Sequence, residues 1–222
     1  MARALRLAHR GDWRVAPENT LAAMRAALAI DACDGLEFDV RGSREGVPIL
    51  LHDDTLDRVQ GRPERAEALS VAELAAGGIP TLADVLAAAG PDPFLDVELK
   101  GEVVPAVIGV LEAARGAALP RTVVSSFEPE TLAWLGLRRP AWARWFNTED
   151  LTPETVAVAR DIGCRGLSVD WRAIDGPGIA RAHAAGLTVA AWTVRRRSTA
   201  ARLERMGVVA LCVEAAALDG PV

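Results

Sequence analysis

Between Leu36 and Val40 apolar and polar residues alternate, with Leu36, Phe38 and Val40 on one side and Glu37 and Asp39 on the other. Successive side chains of a strand face opposite sides, so this period of two predicts a strand carrying two carboxylates on one face. Such a face suits either water or a divalent cation, and the rest of the chain decides between them. Other short apolar runs predict strands at 5–8, 48–51, 94–99, 122–127, 142–146, 166–170, 187–194 and 208–213. Stretches with helical spacing fall between them, at about 20–28, 81–89, 103–117, 129–137, 153–162, 177–185 and 198–206. Asn19 or Thr20 caps the first of these, with Leu21, Met24 and Leu28 as its apolar face.

The short strand at 48–51 interrupts the order, and residues 53–79 after it break the pattern. They read as a small insertion with one short helix at 70–76, opened by a Ser70/Glu73 capping box. The remaining eight strands alternate with helices, which predicts a parallel sheet. Eight such repeats in 222 residues fit an α/β fold of the closed (β/α)8 TIM-barrel type, with the last helix short or missing. A doubly wound open sheet is the alternative. With no repeat, linker or low-complexity segment, residues 1–222 are expected to form a single domain.

Composition narrows the classes. Half the residues are apolar, enough for a sizeable core, and the net charge of −5 gives no electrostatic reason to expect nucleic acid. No apolar run approaches the ~20 residues of a membrane span, so none is expected. The N-terminus has no apolar stretch long enough for a signal peptide. Cys33, Cys164 and Cys212 lie in apolar runs and read as reduced core residues, which makes a cytoplasmic location the expectation.

In a barrel of this type the active site lies at the C-terminal ends of the strands. Those ends read His9-Arg10, Glu37-x-Asp39, His52-Asp53 (on the short extra strand), Glu98-x-Lys100, Ser125-Ser126-Phe127, Asp170-Trp171 and Trp192-Thr193. Glu37, Asp39 and Glu98 suit one divalent metal, Mg2+ or Ca2+, which prefer oxygen ligands. No His/Cys cluster has zinc spacing. Arg10 and Lys100 suit phosphate oxygens, and His9 and His52 suit a general acid and a general base for displacement at phosphorus. His183, in a helix, is placed far from this mouth.

In this order the motifs resemble those of the glycerophosphodiester phosphodiesterase family. They are His9-Arg10-Gly11, Pro17-Glu18-Asn19-Thr20, Glu37-Phe38-Asp39-Val40, the run from Pro48 to Arg58, Pro80-Thr81-Leu82 and Glu98-Leu99-Lys100. Ser125-Ser126-Phe127 and Trp192-Thr193-Val194 match weaker later signatures. The resemblance implies a TIM barrel and metal-dependent hydrolysis of a glycerophosphodiester to sn-glycerol 3-phosphate and an alcohol. It also implies Glu37, Asp39 and Glu98 as metal ligands, His9 and His52 as the acid/base pair, and Arg10 and Lys100 as phosphate contacts. Trp192, with Phe127, is expected to touch substrate. Two departures stand out. The insertion is short, and the last strand ends in Val213-Glu214-Ala215 where Thr-Asp is common. Both are read as bearing on substrate selection and not on the catalytic set.

Two other functions are weighed. A phospholipase-like phosphodiesterase on the same barrel needs an apolar membrane-facing rim, to which Trp142, Trp145 and Trp171 are the candidates. A non-catalytic phosphoglycerol-binding barrel is disfavoured by the intact acid, base and metal set. Residues 53–79 contain no aromatic and many charges, so the insertion is expected to build few apolar pockets and to leave the alcohol loosely selected.

Overall fold

The computed structural model describes residues 3–102 and 104–221. Nine strands form one sheet: β1 (Leu5–His9), β2 (Gly35–Gly42), β3 (Pro48–Leu50), β4 (Phe94–Leu99), β5 (Thr122–Ser126), β6 (Arg144–Thr148), β7 (Gly166–Asp170), β8 (Thr188–Val194) and β9 (Ala210–Val213). β1 pairs with both β9 and β2, so every strand but β3 belongs to a closed parallel barrel. β3 runs antiparallel on β2. The fold is therefore the (β/α)8 barrel, not an open doubly wound sheet.

Helices α1 (Leu21–Leu28), α2 (Asp57–Gln60), α3 (Val71–Ala76), α4 (Leu82–Ala89), α5 (Ala106–Arg115), α6 (Pro129–Arg138), α7 (Pro153–Asp161), α8 (Gly176–Ala184) and α9 (Arg197–Arg205) complete it. Two differences from the pattern reading stand out. α5 begins at Ala106, and the expected start at Val103 lies outside the described residues. β6 begins at Arg144, because Trp142 is used as a plug instead, fully buried with its indole N–H donated to the Ala117 carbonyl. After β9 only a 3-10 turn, Ala215–Ala217, follows among the described residues, as expected for a short or missing last helix.

The alternation on each strand sorts two environments. Leu36, Phe38 and Val40 join the apolar layer between barrel and helices. The inward positions stack in levels, because residues two apart on a strand share a face. Val123, Trp145, Ala190 and Ala210 form a dry lower plug with Leu7. Two residues further along the same strands come Ser125, Asn147, Trp192 and Cys212. The barrel interior thus changes from apolar to polar within one level, and the polar level faces the C-terminal ends.

Close backbone approaches explain the glycines that shape this end. A Cβ on Gly11 would lie 2.6 Å from the Ala23 backbone, and its φ of +84° is one that side-chain-bearing residues rarely adopt. Gly11 therefore lets the loop after β1 lie against α1. The insertion has its own small core, in which Leu56, Ala66, Leu69, Leu74 and Ile79 pack on Ile49 and Leu51. The Ser70/Glu73 capping box is formed at the start of α3.

Candidate active site

The C-terminal mouth of the barrel holds a cavity of about 130 Å3. His9, Arg10, Glu37, His52, Glu98, Lys100, Phe127 and Trp192, eight of the nine residues expected to do chemistry or touch substrate, line it. The ninth, Asp39, is fully buried and ringed by Arg10, Lys100 and Asn19. His183 is on α8, exposed to solvent and away from the cavity lining, as expected.

β-register brings the acids together. Glu37 lies beside Asp96 and Asp39 beside Glu98, while His9 is level with Glu37. One carboxylate oxygen from each of Glu37, Asp39 and Glu98 lies within 4.8 Å of the others. None of the three faces water, at 4%, 0% and 7% exposure, so the solvated-strand reading of the alternation fails. Two of their oxygens, Glu37 Oε2 and Asp39 Oδ1, are buried without a hydrogen-bond partner. Orphaned buried carboxylate oxygens converging on one space fit a hard divalent cation.

The charges around them show the same strain. Burial, then the neighbouring Asp39 and Glu98, push Glu37 well above the usual carboxylate range. Burial and Asp39 push Glu98 up to about 7. Asp39 is held below its ordinary value because Arg10, Lys100 and His52 outweigh its own burial. Arg10 Nε stands 3.0 Å from Asp39 Oδ2, while Lys100 Nζ is 2.6 Å from Glu98 Oε1 and 3.4 Å from Asp39 Oδ1. Both cations are partly exposed on the cavity side, where an anionic ligand would meet them.

The two histidines are built alike. His9 Nδ1 is 2.5 Å from Glu214 Oε1, and Arg195 Nε donates to Glu214 Oε2 at 2.6 Å. His52 Nδ1 is 2.7 Å from Asp53 Oδ1, and Arg58 Nε donates to Asp53 Oδ2 at 2.6 Å. An ionised carboxylate only accepts, so each imidazole carries its proton on Nδ1 when neutral and keeps Nε2 for the cavity. Burial would raise Glu214, but the hydrogen bond from His9 and the nearby charges hold it down at about 2. Burial pulls His52 below its ordinary value, against the attraction of Asp39.

Three residues went unseen as site members in the sequence. Glu214 was read as bearing only on substrate selection; it binds His9 directly, so the departure at the end of β9 reaches one of the two candidate histidines. Its signal was its place, at the C-terminal end of a strand. Asp96 faces inward with Glu98 and is pushed up to about 7 by burial, against a 2.6 Å hydrogen bond from Ser125 Oγ. The third, Asn147, lines the cavity from β6. Of the three tryptophans considered for a membrane-facing rim, Trp142 and Trp145 are buried in the core and Trp171 is half-buried.

A closed (β/α)8 barrel with a carboxylate cluster, two cations and two carboxylate-held histidines at its C-terminal mouth defines a structural class, α/β barrels with a charged cavity at the strand ends. Residues 9–218 match the profile of the glycerophosphoryl diester phosphodiesterase family, and the chain belongs to that family. It is 33% identical over 112 residues to a glycerophosphodiester phosphodiesterase of Caldanaerobacter subterraneus subsp. tengcongensis, a match covering 44% of this chain and 46% of that protein. Against the first relatives, then, the chain spans half of their length or less. It is also 31% identical over 217 residues to the Mycobacterium tuberculosis protein named "Probable glycerophosphodiester phosphodiesterase 2", covering 85% of this chain and 78% of the other. Among solved structures, an Oleispira antarctica phosphodiesterase in complex with the product sn-glycerol-3-phosphate superposes with a TM-score of 0.83 at 27% identity, over 95% of this chain and 93% of that one. A glycerophosphodiester phosphodiesterase from Agrobacterium tumefaciens gives 0.78 at 25% identity, over 99% of this chain and 100% of that one.

Proposed function

We propose that this protein hydrolyses glycerophosphodiesters to sn-glycerol 3-phosphate and an alcohol with the help of a divalent metal. The carrying observation is the pair of buried oxygens without hydrogen-bond partners on Glu37 and Asp39 beside Glu98, at the edge of a cavity that also presents Arg10 and Lys100. Glu37, Asp39 and Glu98 would hold Mg2+ or Ca2+. When bound, such an ion supplies positive charge against the phosphate oxygens. Arg10 and Lys100, beside Asp39 and Glu98, would bind phosphate oxygens and offset charge that develops in the transition state. One histidine Nε2 takes a proton from the attacking oxygen, and the other gives one to the leaving alcohol. The attacking oxygen is the glycerol C2 hydroxyl, through a cyclic phosphate that water then opens, or water itself. Phe127 and Trp192, edge to face at 5.5 Å, wall the cavity and touch the substrate.

The phospholipase-like alternative is disfavoured by the burial of Trp142 and Trp145, which leaves only the half-buried Trp171 of the three rim candidates. No helix among the described residues is long and apolar enough to cross a membrane. The three free cysteines, two of them buried, are the basis for placing the protein in a reducing, cytoplasmic compartment. The substrate is a small molecule, and residues 1–222 act as a single unit with residues 53–79 as its insertion.

That insertion does more than lie as a flap. Val59, Gln60 and residues 77–79 wall a second cavity of about 190 Å3 whose lining includes His52. It contains no Phe or Trp to cage a quaternary ammonium. The alcohol half is therefore weakly selected, and glycerophosphocholine, glycerophosphoethanolamine and glycerophosphoglycerol are expected to differ in kcat/KM by no more than about tenfold. Measured kcat/KM for the three, with sn-glycerol 3-phosphate quantified as the common product, tests this. A preference above about a hundredfold would contradict the permissive alcohol side. Absence of sn-glycerol 3-phosphate would contradict the reaction.

A further inference from the structure

The insertion reaches the barrel mouth through one arginine. Leu56 is fully buried in the insertion's small core, and α2 starts at the next residue. Arg58 stands two positions after that anchor, with its side chain half exposed on a helix that buries none. Its guanidinium meets two carboxylates of the barrel at once. Nε donates to Asp53 Oδ2 at 2.6 Å, while Nη2 and Nη1 donate to Glu18 Oε1 and Oε2 at 2.6 and 3.1 Å. Asp53 follows β3, and Glu18 lies in the loop after β1.

Each of these carboxylates has a second partner that lines the mouth. Asp53 Oδ1 holds His52 Nδ1 at 2.7 Å, and Glu18 Oε1 accepts from Arg10 Nη1 at 3.1 Å. Burial would raise Glu18 and Asp53, but hydrogen bonds from Arg58 and the other nearby cationic and imidazole groups hold each below its ordinary value. Both are charged acceptors that keep their donors. His52, Asp53, Arg58, Glu18 and Arg10 thus form one unbroken chain of hydrogen bonds, with Arg58 at its midpoint. Exposed ion pairs contribute little to stability, so stapling the insertion down is a weak reason for this arrangement. A planar fork that fixes two carboxylates at set angles contributes orientation instead. Orientation matters because the two ends of the chain face one cavity, where a small misplacement costs much in rate.

Resting on the phosphodiesterase reading, we propose that Arg58 is a positioning residue with two arms: through Asp53 it orients the His52 imidazole, and through Glu18 it holds the Arg10 guanidinium toward the phosphate. The two arms act on different quantities. The His52 arm bears on proton transfer and so on kcat. The Arg10 arm bears on phosphate binding and so on KM. Because Leu56 plants Arg58 in the insertion, the seating of residues 53–79 on the barrel sets both together.

The test uses the full chain with glycerophosphocholine at saturating Mg2+ or Ca2+. Arg58→Gln should lower kcat and raise KM, with kcat/KM down by about ten- to a hundredfold. Arg58→Lys keeps the charge but puts a point where the fork was, and should recover no more than about threefold of that loss. In a His52→Ala background, Arg58→Gln should still raise KM but change kcat by less than about twofold, because the imidazole it orients is gone. Glu18→Gln cuts only the Arg10 arm and should raise KM with a smaller change in kcat. Nitrogen NMR of the labelled imidazoles needs no turnover. His52 should hold its proton on Nδ1 in the wild type and share it with Nε2 in Arg58→Gln, while His9 keeps its tautomer. Full activity in Arg58→Lys, an equal kcat loss with and without His52, or kcat and KM of Arg58→Gln within about twofold of the wild type would each overturn the assignment. An unchanged His52 tautomer would overturn it as well. If the wild type released no sn-glycerol 3-phosphate, the phosphodiesterase reading would fall by itself. The tautomer change, with weaker calorimetric binding of sn-glycerol 3-phosphate to Arg58→Gln, would then still establish both arms, and the absence of either would remove them.

Discussion

His9 shows how much of a site lies beyond single residue types. Its place at a strand end made it a candidate from sequence, but its partner Glu214 lies 205 positions away and is brought to it only by barrel closure. No local pattern announces such a pair, and the same holds for Asp96 with Ser125 and for Asn147 over Trp145. What local pattern did announce were residues whose chemistry is odd for their setting: carboxylates in an apolar strand, histidines at strand ends. Two predictions belong here. His9→Ala and His52→Ala should each lower kcat by about 10²–10⁴-fold, while His183→Ala leaves it nearly unchanged. Equal losses at all three, measured by steady-state kinetics, would mean that the histidines act through folding. Glu214→Gln should lower kcat by about ten- to a hundredfold with little change in thermal stability, as when a carboxylate that orients a functional imidazole is lost. An unchanged kcat would show that Glu214 only balances Arg195.

At the scale of elements, the period-two strands and helical stretches were legible because each buries one face. Strand starts and ends were each read to within a residue or two, since apolar runs end where the strand leaves the core. α2 was not legible. It has four residues, no buried side chain and no side-chain cap, so neither periodicity nor capping marks it. The insertion's small core was equally hidden, because Leu56, Ala66, Leu69 and Leu74 meet only after the segment folds back on Ile49 and Leu51. The loop after β1 gives a test at this scale. Arg10, Gly11 and Asn19 all have positive φ, and Gly11 seats the loop on α1. Gly11→Ala should cost at least about 2 kcal/mol in urea denaturation, through strain at that φ and collision with Ala23. A change within about 0.5 kcal/mol would show that the loop moves aside freely.

For the whole molecule, the barrel was readable because strand–helix alternation repeated eight times admits few alternatives. The charge state of its mouth was not, since burial depends on closure. Its consequence is a link between metal, pH and stability. Without metal, the carboxyls of Asp96 and Glu98 are pushed up to about 7, and Glu37 is raised as well. A carboxyl with a folded pKa above its unfolded value binds its proton more tightly in the fold. That contribution is full below the unfolded value of about 4 and is lost as pH rises toward the folded value. In EDTA, Tm should therefore fall between about pH 5 and about pH 8, and added Mg2+ or Ca2+ should raise Tm more at the higher pH, where the ligands are ionised. A metal-induced rise in Tm that is the same at both pH values would contradict this arrangement.

The central claim is that three buried carboxylates hold a cation needed to turn over a glycerophosphodiester, and one assay reaches it directly. Purified protein is given glycerophosphocholine after exhaustive chelation, and again after Mg2+ or Ca2+ is restored. The account predicts no release of sn-glycerol 3-phosphate from the chelated protein and recovery of turnover when either ion that suits the site returns. Full turnover by the metal-free protein would contradict it.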